Sequence, residues 1–257
     1  MKQLFSRFLF LVFLINIIQI SPSLAQKLDF NAPVSPNKIY GKIRSQHATS
    51  LSSEIPTRIE QLLVREGNSF KKGAVLILLD CSLIKARYEK LEAILKAAKA
   101  KLSIEQRLLE LNSTGELDVK NAEAGMGKIT ADMKAGRVKL SKCIIKAPFS
   151  GRVVEVKMGE HQFAKVGVEI VKIIDDLNLE IIFMVPSNWV NWLKPGYKFE
   201  YKVDETSLTY KAKIVQRGAQ IDAISRSIVM IGATDHRHKE LIPGMSGTVK
   251  FKFPDKD

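Results

Sequence analysis

Residues 54–80 read EIPTRIEQLLVREGNSFKKGAVLILLD, and residues 148–174 read PFSGRVVEVKMGEHQFAKVGVEIVKII. A shift of 94 positions aligns the two phrases without a gap. Arg58 then falls on Arg152, Ile59 on Val153, Glu66 on Glu160, Lys71 on Lys165 and Gly73 on Gly167. Leu76, Ile77 and Leu79 fall on Ile170, Val171 and Ile173. Each copy is a β-pattern, a glycine-containing turn and a second β-pattern. A β unit too small to bury its own apolar face packs on its twin, so the pair is expected to form one module.

The insertion between the copies is of another kind. From Ser82 to Lys142 there is no proline, and Ala, Leu, Lys and Glu dominate, all good helix formers. Ile84, Tyr88, Leu91, Leu95, Ala98, Leu102 and Leu109 follow steps of four and three, with Glu105 in the one polar slot. Val119, Ala122, Met126, Ile129, Met133, Gly136 and Leu140 repeat the rhythm. Two heptad seams separated by the turn signal Asn112-Ser113-Thr114-Gly115 predict two antiparallel helices of about 25–30 residues, roughly 40 Å long; the alternative is that the seams bind another chain as open coiled coils, against which the short turn argues. Ser82 after Asp80 is the expected cap of the first helix, and Ser113 with Glu116 the expected capping box of the second. Gly125, Gly127 and Gly136 either allow close helix approach or simply loosen the second helix.

Outside the repeat, LNLEIIFMVP, YKFEYKV, LTYKAKIVQRG, SRSIVMIGAT and GTVKFKF read as strands, and SNWVNWLKPG as a short helical turn. Short strands with regular turn signals predict a small barrel or sandwich, to which the early KIYGKIRSQHATSLS adds a strand. The chain thus leaves the barrel, builds the repeat and returns.

The N-terminus bears on compartment. Lys2 and Arg7 precede the apolar run Phe8–Ile20, and SPSLA ends at Ala25. This is the pattern of a cleavable signal peptide, with an uncleaved anchor as the alternative. No cysteine follows the signal, so no lipid is expected there. In an oxidising compartment Cys81 and Cys143, at the two feet of the insertion, form a disulfide; the competing reading is two free thiols. The formal charge is +13, which suits an anionic membrane surface or nucleic acid. The lysines are spread along the chain and no aromatic-and-basic cluster marks base stacking, so a solvated basic surface is the simpler reading and no nucleic-acid partner is expected.

The LSSEIPTRIEQLLVREGNSFKKGAVLILLDCS phrase, APFSGRVVEV, IIDDLNLEIIFMVPSNW and LIPGMSGTVKF, in this order around a heptad hairpin, resemble the membrane-fusion proteins. These are periplasmic adaptors of tripartite efflux pumps. The resemblance implies a mixed α+β fold: a split lipoyl-like β domain with an inserted antiparallel α-helical hairpin, plus a small antiparallel β-barrel. The expected organisation is signal peptide 1–25, linker 26–36, barrel strand 37–50, lipoyl-like halves 51–80 and 144–176, hairpin 81–143, and barrel with a short tail 177–257. Thr57 departs from the pattern, standing where Gly151 stands in the second copy. With so short a tail, a full membrane-proximal domain is expected to be absent or rudimentary.

The resemblance further implies a scaffold between an inner-membrane transporter, most similarly of the resistance-nodulation-division type, and an outer-membrane channel. It also implies self-association as a hexamer in the pump. Adaptors for ABC or major-facilitator exporters are the alternative. At the hairpin tip the family carries Arg, Leu four residues on and Ser seven beyond; here the positions are Arg107, Leu111 and Asp118. Arg107 and Leu111 share a helix face and are expected to dock on the channel. Asp118 otherwise reads as a residue favouring the start of its helix.

Catalytic readings are weak. There is no nucleophile elbow and no phosphate-cradling glycine loop. Asp175 and Asp176 read as a strand-end turn, His236 and His238 as an exposed loop, and Met126 and Met133 as seam packing. A lipoyl or biotinyl carrier needs a lysine at the turn between the halves, but the first half ends Leu-Asp-Cys-Ser. No enzyme activity, cofactor or metal is expected.

Overall fold

A computed structural model describes residues 38–252. The expected signal peptide, the linker and the end of the tail lie outside the described residues. In chain order the first elements are β1 (Ile39–Ser45), β2 (Ala48–Ser52), β3 (Thr57–Leu62), β4 (Ser69–Phe70) and β5 (Val75–Leu79). The helices α1 (Ser82–Glu110) and α2 (Glu116–Ser141) follow. Next come β6 (Ile144–Lys146), β7 (Gly151–Val156), β8 (Phe163–Ala164) and β9 (Glu169–Ile174). The chain ends in β10 (Leu179–Pro186), a 3₁₀ turn at Ser187–Asn191, β11 (Lys198–Val203), β12 (Thr209–Asp222), β13 (Ser227–Thr234) and β14 (Ser246–Phe251).

The two copies of the repeat do not fold side by side; they exchange strands. One sheet runs β2-β9-β7-β4 and the other β6-β5-β3-β8, so each contains segments of both copies. The exchange obeys a local twofold relation. Gly67 N–H donates to Val153 O (2.9 Å), and His161 N–H, its equivalent, donates to Ile59 O (2.8 Å). The Glu66 carboxylate accepts Val156 N–H (3.0 Å), and Glu160 accepts Leu62 N–H (2.9 Å). Gly73 and Gly167 both have positive φ, 83° and 81°, which explains why this turn keeps glycine in both copies. Between the sheets Ile59, Leu76, Ile77, Val153, Ile170, Val171 and Ile173 are buried.

The copies differ at one place for a steric reason. A Cβ on Gly151 would lie 2.0 Å from Ile174 O, so this position tolerates no side chain. At Thr57 the equivalent side chain has room, and its hydroxyl donates to Asp80 O.

The second module is a closed barrel of β1-β10-β13-β12-β11-β14, all antiparallel. Alternation puts Ile43, Ile181, Tyr201, Ile214 and Met230 inside. The segment 37–50, expected as one barrel strand, divides. Only β1 joins the barrel; after Ser45 the chain crosses over and β2 pairs with β9 in the repeat module. β2 exposes no barrel-facing apolar row, and its ladder partner lies in the second copy.

In α1 and α2, seam residues Ile84, Tyr88, Leu91, Leu95, Ala98, Leu102 and Leu109, and their counterparts from Val119 to Leu140, are partly covered, Ala122 fully so, while most others are exposed. The glycines of α2 separate in role. A Cβ on Gly136 would meet Tyr88 Cδ2 at 3.0 Å, whereas Gly125 and Gly127 have no neighbour within 4 Å. Gly136 is therefore a contact between the helices, and the other two only weaken the helix. Gly125→Ala with Gly127→Ala is expected to stabilise by about 1–2 kcal/mol in urea unfolding, whereas Gly136→Leu is expected to destabilise by roughly 1–3 kcal/mol through overpacking against Tyr88.

Candidate functional site

At the foot of the helices Cys81, the residue before α1, is disulfide-bonded to Cys143, with Cα atoms 6.0 Å apart. The bond ties the end of β5 to the start of β6, which are themselves paired. Lys142 adds an ion pair to Glu54 at 2.6 Å. The first cap differs from expectation: Ser82 is the first helical residue, and the Asp80 carboxylate accepts its N–H (3.1 Å) and hydroxyl (2.8 Å). These bonds hold the Asp80 carboxyl below its ordinary range.

At the other end residues 111–115 turn the chain. Ser113 N–H donates to Leu108 O (2.8 Å) and Asn112, with φ of 53°, to Leu109 O (2.9 Å). The second cap falls two residues after the expected Ser113, with Gly115 before the helix and Asp118 in the reciprocal role. Asp118 Oδ2 accepts Gly115 N–H (3.4 Å) and lies 3.0 Å from the Thr114 hydroxyl. Thr114 is also 3.3 Å from Glu105 Oε2, so its hydroxyl, with one proton to donate, lies within reach of a carboxylate on each helix. The polar slot of the first seam thus has a partner.

Of the three tip residues, Asp118 is committed to this cap. Arg107 and Leu111 are not. Arg107 is exposed and has no ion pair among the described residues, and Leu111 is 65% exposed. Ile104 and Leu117, which the spacing argument did not single out, are also exposed. Ile104, Arg107 and Leu111 recur at steps of three and four, so they form one uncovered face beside the turn.

The chain crosses between barrel and repeat twice, and the crossings bind each other. Asp175 N–H donates to His47 O (2.8 Å) and Gln46 N–H to Asn178 O (3.0 Å). The Ser45 hydroxyl reaches Asp175 O at 2.6 Å. The Asp175 side chain is buried and accepts Leu177 N–H (2.8 Å), Asn178 N–H (3.1 Å) and Asn178 Nδ2 (2.7 Å), with His47 Nδ1 at 3.4 Å. Burial pushes its pKa up, but the four hydrogen bonds outweigh it and the net shift is downward. The turn expected at Asp175 is therefore the lock between modules. Asp176 is half-buried and pairs with Arg152 at 3.1 Å.

The remaining candidates do not assemble. His236 is exposed. His238, expected in an exposed loop, is instead half-buried, packing edge-on against Tyr210 with ring centroids 4.6 Å apart and lying 3.4 Å from Glu240. Met126 and Met133 lie in the helix seam. Among the described residues no three His, Cys, Asp or Glu side chains converge on a metal site.

No protein-family model matches the sequence. An uncharacterized Haemophilus influenzae protein is 28% identical over 218 residues, 83% of this chain. The chain spans 56% of that relative's length. A MacA–MexA chimeric protein containing the Pseudomonas aeruginosa MexA α-hairpin domain superposes with a TM-score of 0.71 at 20% identity, over 84% of this chain and 80% of the other. The membrane fusion protein Spr0693 from Streptococcus pneumoniae R6 gives 0.71 at 15% identity, over 84% and 99%. The fold is that of the membrane-fusion proteins.

Within the membrane-fusion fold the junction lock escaped sequence reasoning, because a lone Asp-Asp pair after a strand looks like any turn. The one signal was the pair of polar segments, Ser45–His47 and Asp175–Asn178, at the two points where the pattern changes from barrel to repeat.

Two measurements check this geometry. Closing the loop between Cys81 and Cys143, 62 positions apart, is worth roughly 4 kcal/mol in the chain-entropy account. Cys81→Ser with Cys143→Ser is accordingly expected to lower unfolding stability by about 2–5 kcal/mol, with neither thiol of the parent alkylated in non-reducing denaturant. For Asp175, the lowered pKa means that its stabilisation is present above the unfolded value of about 3.9 and is lost as pH falls through the folded value. Asp175→Asn is expected to be less stable at pH 7, with the gap to the parent closing as the pH falls below 4.

Proposed function

We propose that this protein is a periplasmic adaptor subunit of a tripartite efflux pump, a non-catalytic scaffold joining an inner-membrane transporter to an outer-membrane channel. The observation that carries the reading is the helix pair. It is bonded at its foot by Cys81–Cys143, and carries an uncovered Arg107–Leu111 face at the opposite end. A thin pair of helices with one shared seam contributes little core of its own; its use is to place a face at a distance.

In this reading the two strand-exchanged sheets are the split lipoyl-like domain and α1–α2 is the inserted antiparallel hairpin. The carrier reading has no support, because the place of a modified lysine is taken by the helices. The fold shared with a MacA–MexA chimera and with a membrane fusion protein supports the adaptor role. The partner transporter is of the resistance-nodulation-division type, with ABC and major-facilitator exporters as alternatives that a pull-down of the native complex separates. The working assembly is a hexamer, and export by cleavage after Ala25 places the protein in the periplasm. No helix among the described residues is long and apolar enough to cross a membrane.

Leu111 supplies an apolar anchor, and the Arg107 fork supplies paired donors for carbonyls or carboxylates of the channel. Arg107→Asp with Leu111→Ser is expected to reduce efflux to the level of a strain lacking the adaptor, while protein level, thermal unfolding and transporter pull-down stay unchanged. Normal pumping by the double variant overturns the docking assignment.

A further inference from the structure

The barrel end away from the repeat has a different surface. β10 leaves the junction at Leu179 and ends at Pro186, opposite Ser227, which in turn lies opposite Asp222. The β12–β13 turn therefore sits at the far end. β12 pairs with β11 only as far as Lys213 and runs on to Asp222 beside β13, across two register shifts.

At its apex Ile224 is 97% exposed, and Ile221 is 48% exposed. This exposure belongs to an ordered turn. Asp222 Oδ1 accepts Ile224 N–H (3.0 Å), Ser225 N–H (2.8 Å) and the Ser225 hydroxyl (2.9 Å). Arg226 O accepts Ser187 N–H (2.8 Å), tying the turn to the end of β10. Asp222 is the one carboxylate in residues 214–230, and its charge is spent on these donors.

Behind the apex stand cations. Arg217, opposite Met230, and Arg226 flank it on the hairpin, both exposed and without an ion pair among the described residues.

We propose that this end of the barrel docks on an anionic lipid bilayer, Ile224 and Ile221 entering the headgroup–acyl boundary while Arg217 and Arg226 meet lipid phosphates. The order along the hairpin, apolar apex first and cations behind, is the order of layers that a bilayer presents in reverse. Binding of this kind adds buried apolar area to attraction for anionic headgroups. A convex apex with its charges set back favours a membrane over the acidic face of a partner protein, which rewards charges on the contact plane.

The test uses the mature protein beginning at Gln26 and sedimentation with vesicles of phosphatidylethanolamine and phosphatidylglycerol, against vesicles of phosphatidylcholine alone. Binding is expected to the anionic vesicles only and to weaken with salt. Arg217→Gln with Arg226→Gln is expected to lower partitioning about 25-fold, roughly fivefold per charge. Ile224→Asp is expected to lower it at least as far, with thermal unfolding unchanged since the side chain touches no core. An environment-sensitive dye on Ile224→Cys should shift on anionic vesicles. Equal binding of parent and variants overturns the proposal, as does a dye that stays in water on vesicles and shifts only when transporter protein is added. The vesicles contain no pump component, so failure here leaves the adaptor reading intact, and failure of the Arg107–Leu111 variant leaves this one intact.

Discussion

Everything else in this protein hangs on the exchange of strands between two copies of one phrase. Neither copy has a sheet of its own: β4 pairs with β7 and β3 with β8. Glu66 and Glu160 cap the arrangement by each satisfying a backbone N–H of the opposite copy. These two bonds lie at the exposed rim, so they mark the twofold relation, while the apolar residues buried between the sheets supply the larger share of the stabilisation. Because the copies interlock, β5 and β6 become neighbours, and whatever is inserted between them must begin and end at one point. The two helices α1 and α2 meet that condition, and the disulfide makes it covalent.

The same logic recurs where the repeat is inserted into the barrel. Two chain crossings, far apart in sequence, are bound by backbone hydrogen bonds and by Asp175, whose carboxylate is satisfied by the outgoing turn and by His47 of the incoming one. The result is a set of nested insertions, each closed at its neck. A face at the helix tip and a hairpin at the far end of the barrel thus belong to one connected framework, whose barrel and repeat cores are separate clusters.

Much of this was legible in the residues. The gapless repeat pointed to paired modules, and the heptad positions identified which residues of α1 and α2 are covered, because a step of four and three has one geometric meaning on a helix. What escaped has a common cause. Strand exchange is invisible because the copies are alike, so pairing within or between them leaves the same apolar pattern. The helix caps moved by one or two residues because Ser, Thr and Asp all accept backbone N–H groups, and the choice among Ser113, Thr114 and Asp118 depends on the turn. The first part of β2, Ala48–Ser50, reads as barrel because the residues before it are barrel residues, while its ladder lies with Glu169–Ile174. The exposed face at Arg107 and Leu111 was legible as position, whereas Ile104 and Leu117 looked like ordinary helix residues until the turn showed them uncovered.

β1 has a consequence for how the chain reaches this state. Its two neighbours are β10 and β14, so the first strand is completed by nearly the last. Pairing over such separations is slow, since loop closure precedes any gain from contact. The helices and their disulfide close locally and early; the barrel closes only when Ser246–Phe251 arrives. In a chain that emerges N-terminus first, β1 spends that interval as a lone edge. Lys42 and Arg44, alternating with Ile43 on the strand, then act as gatekeepers whose charge discourages pairing with the edge of another molecule.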